Sequence, residues 1–293
     1  MNRNIKITRL PGNPIIRPGM DKRMGRNING PSLIRVPEWT ENPLGRYYLY
    51  FAHHRGTYIR MAYADDVRGP WKVHSAGVLD LADAFAADHI ASPDVHVDHE
   101  RRQFRMYYHG KGTVRGAEQE TRLATSVNGL SFSPRPEVLG LPYFRVFRRD
   151  GWHYAIGMPG KLYRSADGIT GFEDGPRIFP ENQRHTAALV RDDELLVFYT
   201  MVGEKPPESI LLSTVNLNDS WSNWRASEPQ VVLLPEMAWE GANEPLEPSR
   251  RGIAVQQVNQ LRDPAVFDDG GELYLLYAVA GEQGIAVARL DLA

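Results

Sequence analysis

The chain has no cysteine among its 293 residues, so neither a disulfide framework nor a thiolate metal site can be built from it. Net charge is only −2 at pH 7 and no long basic run occurs, which argues against nucleic acid or an anionic membrane as a partner. No stretch is long and apolar enough to cross a bilayer as a helix, and the start, Met1-Asn2-Arg3-Asn4-Ile5-Lys6-Ile7, lacks the apolar centre of a secretory signal. A cytoplasmic location is the expectation, with a trimmed periplasmic or secreted form as the alternative. Neither HExxH nor a comparable ligand spacing occurs, so transition-metal catalysis is not expected. What the chain does have is 42% hydrophobic residues, enough for one sizeable core.

Those residues are arranged in a repeat. Ser92-Pro93-Asp94-Val95-His96-Val97 opens a short apolar strand, a turn follows, and Phe104-Arg105-Met106-Tyr107-Tyr108-His109 returns as an aromatic strand. Asn29-Gly30-Pro31-Ser32 before Tyr47–Phe51, Leu141-Pro142-Tyr143-Phe144 before Trp152–Ile156, His185-Thr186-Ala187 before Leu195–Tyr199, and Arg262-Asp263-Pro264 before Leu273–Tyr277 repeat the unit. A third strand follows in each copy, mostly alternating apolar with polar or small residues. Four copies then carry a turn and an aromatic (Trp71, Phe132, Phe172, Trp221) placed to begin a fourth strand.

Five four-stranded units at this spacing predict an all-β chain: a single five-bladed β-propeller of antiparallel blades spanning residues 1–293. The last copy ends without its fourth strand. Ile5–Leu10 is expected to supply it, closing the ring and removing a free sheet edge. A short helix is expected within Leu79–His89, and the long insertion Pro235–Gln260 between blades 4 and 5 marks a functional loop.

In a propeller the innermost strands begin beside the central channel. Asn29, Asp94, Tyr143, His185, Arg262 and Asp263 are therefore expected to converge on one funnel. Asn13-Pro14-Ile15-Ile16, Ser92-Pro93-Asp94-Val95, the turn from Asp65 to Gly69-Pro70-Trp71, and Gln260-Leu261-Arg262-Asp263-Pro264 carry a further signal. In their order and spacing, the chain resembles the five-bladed propeller glycoside hydrolases. These comprise the arabinanases and β-xylosidases of family 43, the invertase and levansucrase families, and the neoagarobiose hydrolases of family 117.

The resemblance implies a base just before the blade 1 proline, an acid-tuning Asp just after the blade 2 proline, and an acidic Glu two residues before the blade 3 proline. Asp94 matches the tuner, but Gly30 stands at the position of the base and Gly140 at that of the acid, with Asp21 and Glu137 nearby and off register. Asp263, before the blade 5 proline, is the repeat-equivalent of the missing base, and is expected to face Asp94 across the channel mouth. Equally open is a role for Asp263 in capping its turn and pairing with Arg262. For the proton donor the candidates are His185, His89, and Glu240 and Glu244 of the insertion. His53, His54 and His109 end second strands and suit the rim, where they would bind sugar hydroxyls. Trp39 and Trp239 suit stacking on a sugar ring, whereas Trp71, Trp152, Trp221 and Trp224 suit packing.

The expected activity is removal of a terminal sugar from a small oligosaccharide, with no required cofactor; related propellers allow a calcium or other ion in the channel. A carbohydrate-binding propeller without catalysis and a glycosyl transferase or lyase are the alternatives. Strand starts that differ from blade to blade favour one asymmetric site over a lectin's repeated ones. The sugar, its linkage and the oligomeric state are left open.

Overall fold

The second strands read as unbroken apolar runs, Tyr-Tyr-Leu-Tyr-Phe-Ala at 47–52 and Leu-Leu-Val-Phe-Tyr-Thr at 195–200, because each is covered on both faces by neighbouring blades. A computed structural model of the chain describes residues 4–114, 116 and 118–292. After β1 (Ile5–Arg9), blade 1 comprises β2 (Asn29–Arg35), β3 (Tyr47–Ala52), β4 (Tyr58–Ala64) and β5 (Lys72–Asp80). Blade 2 comprises β6 (Ile90–Asp98), β7 (Gln103–Lys111), β8 (Gln119–Ser126) and β9 (Ser133–Pro134). Blade 3 comprises β10 (Arg145–Arg149), β11 (Trp152–Gly157), β12 (Lys161–Ser165) and β13 (Glu173–Arg177). Blade 4 comprises β14 (Gln183–Arg191), β15 (Glu194–Met201), β16 (Ile210–Asn216) and β17 (Gln230–Leu233). Blade 5 comprises β18 (Arg262–Asp269), β19 (Glu272–Ala278) and β20 (Ile285–Leu292), completed by β1.

The ring closes as expected. β1 pairs antiparallel with β20, from Ile5 opposite Leu292 to Arg9 opposite Ala288. Arg9 also clamps the closure, reaching Glu240 Oε1 at 2.8 Å from Nε and Glu236 at 2.7 Å.

Five apolar clusters fill the five junctions between blades. Phe51, Leu49, Phe267 and Leu276 join blades 1 and 5, and Tyr48, Met61, Phe104 and Tyr108 join blades 1 and 2. Phe144, Tyr107 and Tyr163 join blades 2 and 3, while Trp224, Tyr154 and Tyr199 join blades 3 and 4. Each such side chain contributes about 1.5–3 kcal/mol on burial, so the ring is held by its junctions rather than by a single central core.

Two expectations need correction. No helix forms over 79–89: Leu79 and Asp80 end β5, and a single turn follows, with Ala84 N on Asp80 O at 3.2 Å. In blade 4 the outer strand β17 starts at Gln230, well past Trp221, because a 3₁₀ turn at Trp221–Asn223 and an extended stretch intervene. Trp71, Phe132 and Phe172 do directly precede their outer strands.

Candidate functional site

One backbone position recurs at the channel end of every blade. Gly30, Ser92, Tyr143, His185 and Asp263 all have left-handed φ, at 60°, 47°, 71°, 52° and 48°. In four blades the pairing register breaks at this point, between Asn29 and Ser32, Ala91 and Asp94, Arg184 and Ala187, and Arg262 and Ala265. A bulge with a left-handed residue turns a side chain out of the strand's alternation, and non-glycine residues held there cost of order 1 kcal/mol or more each. Four of the five side chains, those of Ser92, Tyr143, His185 and Asp263, thereby line one central cavity of about 210 Å³. Asn29, His54, His89, His109, Arg184 and Glu282 complete most of its wall.

Asp263 is 3% exposed and accepts a hydrogen bond from the Tyr143 hydroxyl, with His185 Nε2 at 3.8 Å. Burial and the nearby Glu282 carboxylate push it up to about 6, against the opposing pull of Tyr143, Arg262 and Arg184. Glu282 goes the other way. Burial would raise it, but His54, Arg262 and Asn27 hold it at about 2. Its Oε1 takes Arg262 Nη1 at 2.8 Å and lies 3.2 Å from His54 Nδ1; its Oε2 takes Asn27 Nδ2 at 2.5 Å and Ala254 N at 3.2 Å. Two acidic side chains on one cavity wall thus differ widely in proton affinity, the pattern that separates a proton-transfer group from a fixed charge.

A buried ionic ribbon backs this wall. Arg184 pairs bidentately with Glu208 through Nε and Nη2, and Arg262 bridges Glu208 at 3.5 Å to Glu282. Across the cavity runs a row of rings: His89 to His109 at 6.1 Å, His109 to Tyr143 at 5.4 Å, Tyr143 to His185 at 5.5 Å. Burial first, then surrounding positive groups, holds His109 and His185 well below the usual histidine range, so both are neutral hydrogen-bonding groups. His109 Nδ1 is buried without a partner among the described residues, while His89 Nδ1 lies 2.5 Å from Asp88 Oδ1.

The structure brings together Asn29, Tyr143, His185 and Asp263 from the repeat's strand starts with His54, His89 and His109, and places the remaining candidates elsewhere. Asp94 lies outside the cavity wall: its Oδ2 accepts from Val146 N and pairs with His96 Nε2, both at 2.8 Å, joining blades 2 and 3. It does not face Asp263, because it sits past the bulge, where the side chain returns to the sheet's alternation. Glu240 is fully buried and bonded to Arg9, to the Tyr277 hydroxyl at 2.8 Å and to Glu236 N and Met237 N, so it secures ring closure and does not reach over the mouth. Nor does Glu244 line the cavity. His185, buried, neutral and with Nδ1 3.0 Å from Thr200 Oγ1, is unsuited to donate a proton. Arg262 stands behind the wall, on Gln260, Glu208 and Glu282. His53 Nδ1 accepts from Arg55 N outside the wall, Trp39 packs on Phe104 at 5.3 Å, and Trp239 packs within the junction of blades 4 and 5.

Sequence reasoning missed Glu282, Arg184 and Ser92; from the insertion the wall takes Arg251 and Gly252. Ser92 was legible as the residue before Pro93. Glu282 was not, because it lies in the β19–β20 turn, away from any strand start. Among the described residues no three His, Asp or Glu side chains are grouped to hold a metal ion.

No family model matches the chain. It is 38% identical to "Uncharacterized protein R118" of Acanthamoeba polyphaga mimivirus, covering 97% of this chain and 90% of that one. Among solved structures it is similar to a thermostable family-43 glycoside hydrolase, with 15% identity, TM-score 0.63 and 96% and 91% of the two chains covered. A putative glycoside hydrolase from Bacteroides ovatus ATCC 8483 matches with 14% identity, TM-score 0.68 and coverage of 98% and 96%. A member of the GH130 family, described as mannoside phosphorylases containing hydrolases of β-1,2 mannosidic linkages in Candida mannan, matches with 12% identity, TM-score 0.69 and coverage of 97% and 93%. At these identities the solved structures share a fold, the five-bladed propeller.

Proposed function

The chain belongs to the family of the mimivirus R118 protein, and from its propeller fold and central cavity we propose that it is a glycoside hydrolase releasing one terminal sugar from a small oligosaccharide. The observation that carries the reading is Asp263: a buried carboxyl at the channel end of β18, pushed up to about 6 beside Glu282, which is held down at about 2. Near neutral pH it is ionised and more basic than an ordinary carboxylate, which suits a general base.

In this reading Asp263 takes a proton from the attacking water as the water oxygen bonds to the anomeric carbon. The glycosidic C–O bond breaks, and the leaving oxygen takes a proton from the ring of His89, which Asp88 orients through Nδ1. Glu282 and Arg262 keep His54 in place to bind sugar hydroxyls, and the neutral His109 and His185 add uncharged partners. Family-43 neighbours solved with xylotriose or xylose, and the GH130 neighbour's β-1,2 mannosidic linkages, suggest the first substrates to try.

The test is sugar release from xylo-oligosaccharides, β-1,2-mannosides and a panel of aryl glycosides, by the parent and by Asp263→Asn. Product from the parent and none from the variant supports the reading; equal product from both removes Asp263 from the chemistry. A second reading, a sugar-binding propeller without turnover, is favoured by glycine at both positions of the family's base and acid. Binding with no product from any substrate would establish it.

A further inference from the structure

The positions equivalent to Tyr143 hold Gly30, Ser92, His185 and Asp263 in the other blades, so the repeat itself does not call for a phenol in blade 3. Tyr143 is left-handed at φ 71° and 4% exposed. A non-glycine residue is strained in that conformation, so its surroundings must hold it there. Its ring lies between His109 and His185, at 5.4 and 5.5 Å, and the Arg145 guanidinium covers it 4.6 Å from the ring centre. Blade 3 thus presents a phenol to the cavity with little freedom to turn.

A phenol has one proton to give. Here it goes to Asp263 Oδ1, two blades round the ring, while Ser92 of blade 2 bonds to the phenol oxygen. Burial first, then the Asp263 charge, holds the phenol well above its usual range, so it stays protonated and remains a donor. The other groups that face Asp263 are Glu282 from the β19–β20 turn, Arg184 and His185 from β14, and Arg262 from its own strand. His185 Nε2 is at 3.8 Å, beyond a hydrogen bond, and Arg184 and Arg262 are bonded to Glu208, Gln260 and Glu282. Among the described residues, Tyr143 is the side chain that hydrogen-bonds the Asp263 carboxyl.

We infer that Tyr143 is the positioning residue of the base: its hydroxyl holds Oδ1 of Asp263, fixes the plane of the carboxyl, and leaves Oδ2 to take the proton of the attacking water. The inference rests on the hydrolase reading for the water, whereas the bond between Tyr143 and Asp263 acts on the carboxyl with or without turnover. A donor stabilises a charged acceptor more than a neutral one, so the hydroxyl favours the ionised carboxyl. Without it Asp263 takes up its proton at higher pH, and the base is lost from the neutral range.

The test is Tyr143→Phe, which keeps the ring and its stacking and removes only the hydroxyl, beside the parent, Asp263→Asn and the double variant. In the parent the limb of kcat/KM is expected at about 6. In Tyr143→Phe it should move up by roughly one to two pH units, the equivalent of one hydrogen bond to an ionised group, with kcat lowered and KM kept. A rate lowered at every pH with the limb in place would mean that only packing was lost; it would overturn the inference and leave the hydrolase reading standing. A second arm needs no turnover: the effect of Asp263→Asn on unfolding, followed against pH in the parent and in the Tyr143→Phe background. The pH at which that effect levels off should rise by the same amount when the hydroxyl is gone, and an unmoved level would overturn the inference. A rise without product from the parent on any glycoside would refute hydrolysis and uphold the hold of Tyr143 on Asp263.

Discussion

Gly30 and Asp263 occupy the same place in two copies of one unit, each left-handed and each followed by proline, at the starts of blades 1 and 5. Space separates them. A Cβ on Gly30 would lie 3.1 Å from Ser92 Cα and 3.3 Å from its hydroxyl oxygen, so a side chain there would have to push the neighbouring blade aside. At Asp263 the corresponding volume is lined by Tyr143 and His185, which meet a carboxyl with a hydroxyl donor and a neutral imidazole. Gly140 repeats the lesson of Gly30: a Cβ there would meet the Phe144 and Tyr163 rings at 2.8 Å. Where the family's carboxylates are missing, their room is filled; the remaining room has a carboxyl on another blade.

The sharpest way to break this comparison is to exchange the two residues. Asp263→Gly should lower kcat/KM by roughly 10³-fold, the scale of a lost general base. Adding Gly30→Asp should restore none of it, because Ser92 blocks the side chain; recovery would show that either blade can carry the base. Glu282→Gln comes next. Removing the charge that Arg262 and His54 face should cost about 3–5 kcal/mol in denaturant unfolding at pH 7. With Glu282 held at about 2 against a usual 4.5, its contribution is present above pH 4.5 and is lost as pH falls from there toward 2.

Asp263 has the opposite sign. Its folded value of about 6 exceeds the ordinary 3.8, so protonation favours the folded state, fully below pH 3.8 and no longer above about 6. Unfolding of the parent measured against Asp263→Asn should therefore shift by about 3 kcal/mol in favour of the variant between pH 4 and pH 8. A difference independent of pH would mean that the carboxyl titrates normally. The smallest effect is expected at Asp94. Asp94→Asn should cost about 1–3 kcal/mol of stability through the Val146 and His96 contacts, with kcat/KM changed by less than about fivefold. A thousandfold loss there would return the site to blade 2.

The architecture was legible because it is repeated. A polar strand start, an aromatic strand and a turn recur five times, four of them with a proline beside the polar residue, so each copy corroborates the others, and the missing last strand pointed to β1. The same repetition led to Asp263, His185 and Tyr143. It misled at Asp94, because one residue across a bulge exchanges a channel-facing side chain for one that joins blades. Glu240 and Glu282 mark the limit of local reading. Both are glutamates outside the repeat, yet one secures the N-terminal strand and the other the cavity wall, through contacts 231 and 228 residues away. Nothing local to either residue encodes that division.

The measurement that tests the account most directly is the pH dependence of kcat/KM for the parent on whichever glycoside it cleaves, beside Asp263→Asn. The account predicts a rate that climbs as pH rises through about 6, where the Asp263 carboxyl ionises, and a variant that loses both that limb and roughly 10³-fold of the rate. A parent whose rate is flat from pH 4 to 7, or a variant that keeps the limb, would contradict the assignment of the base to blade 5.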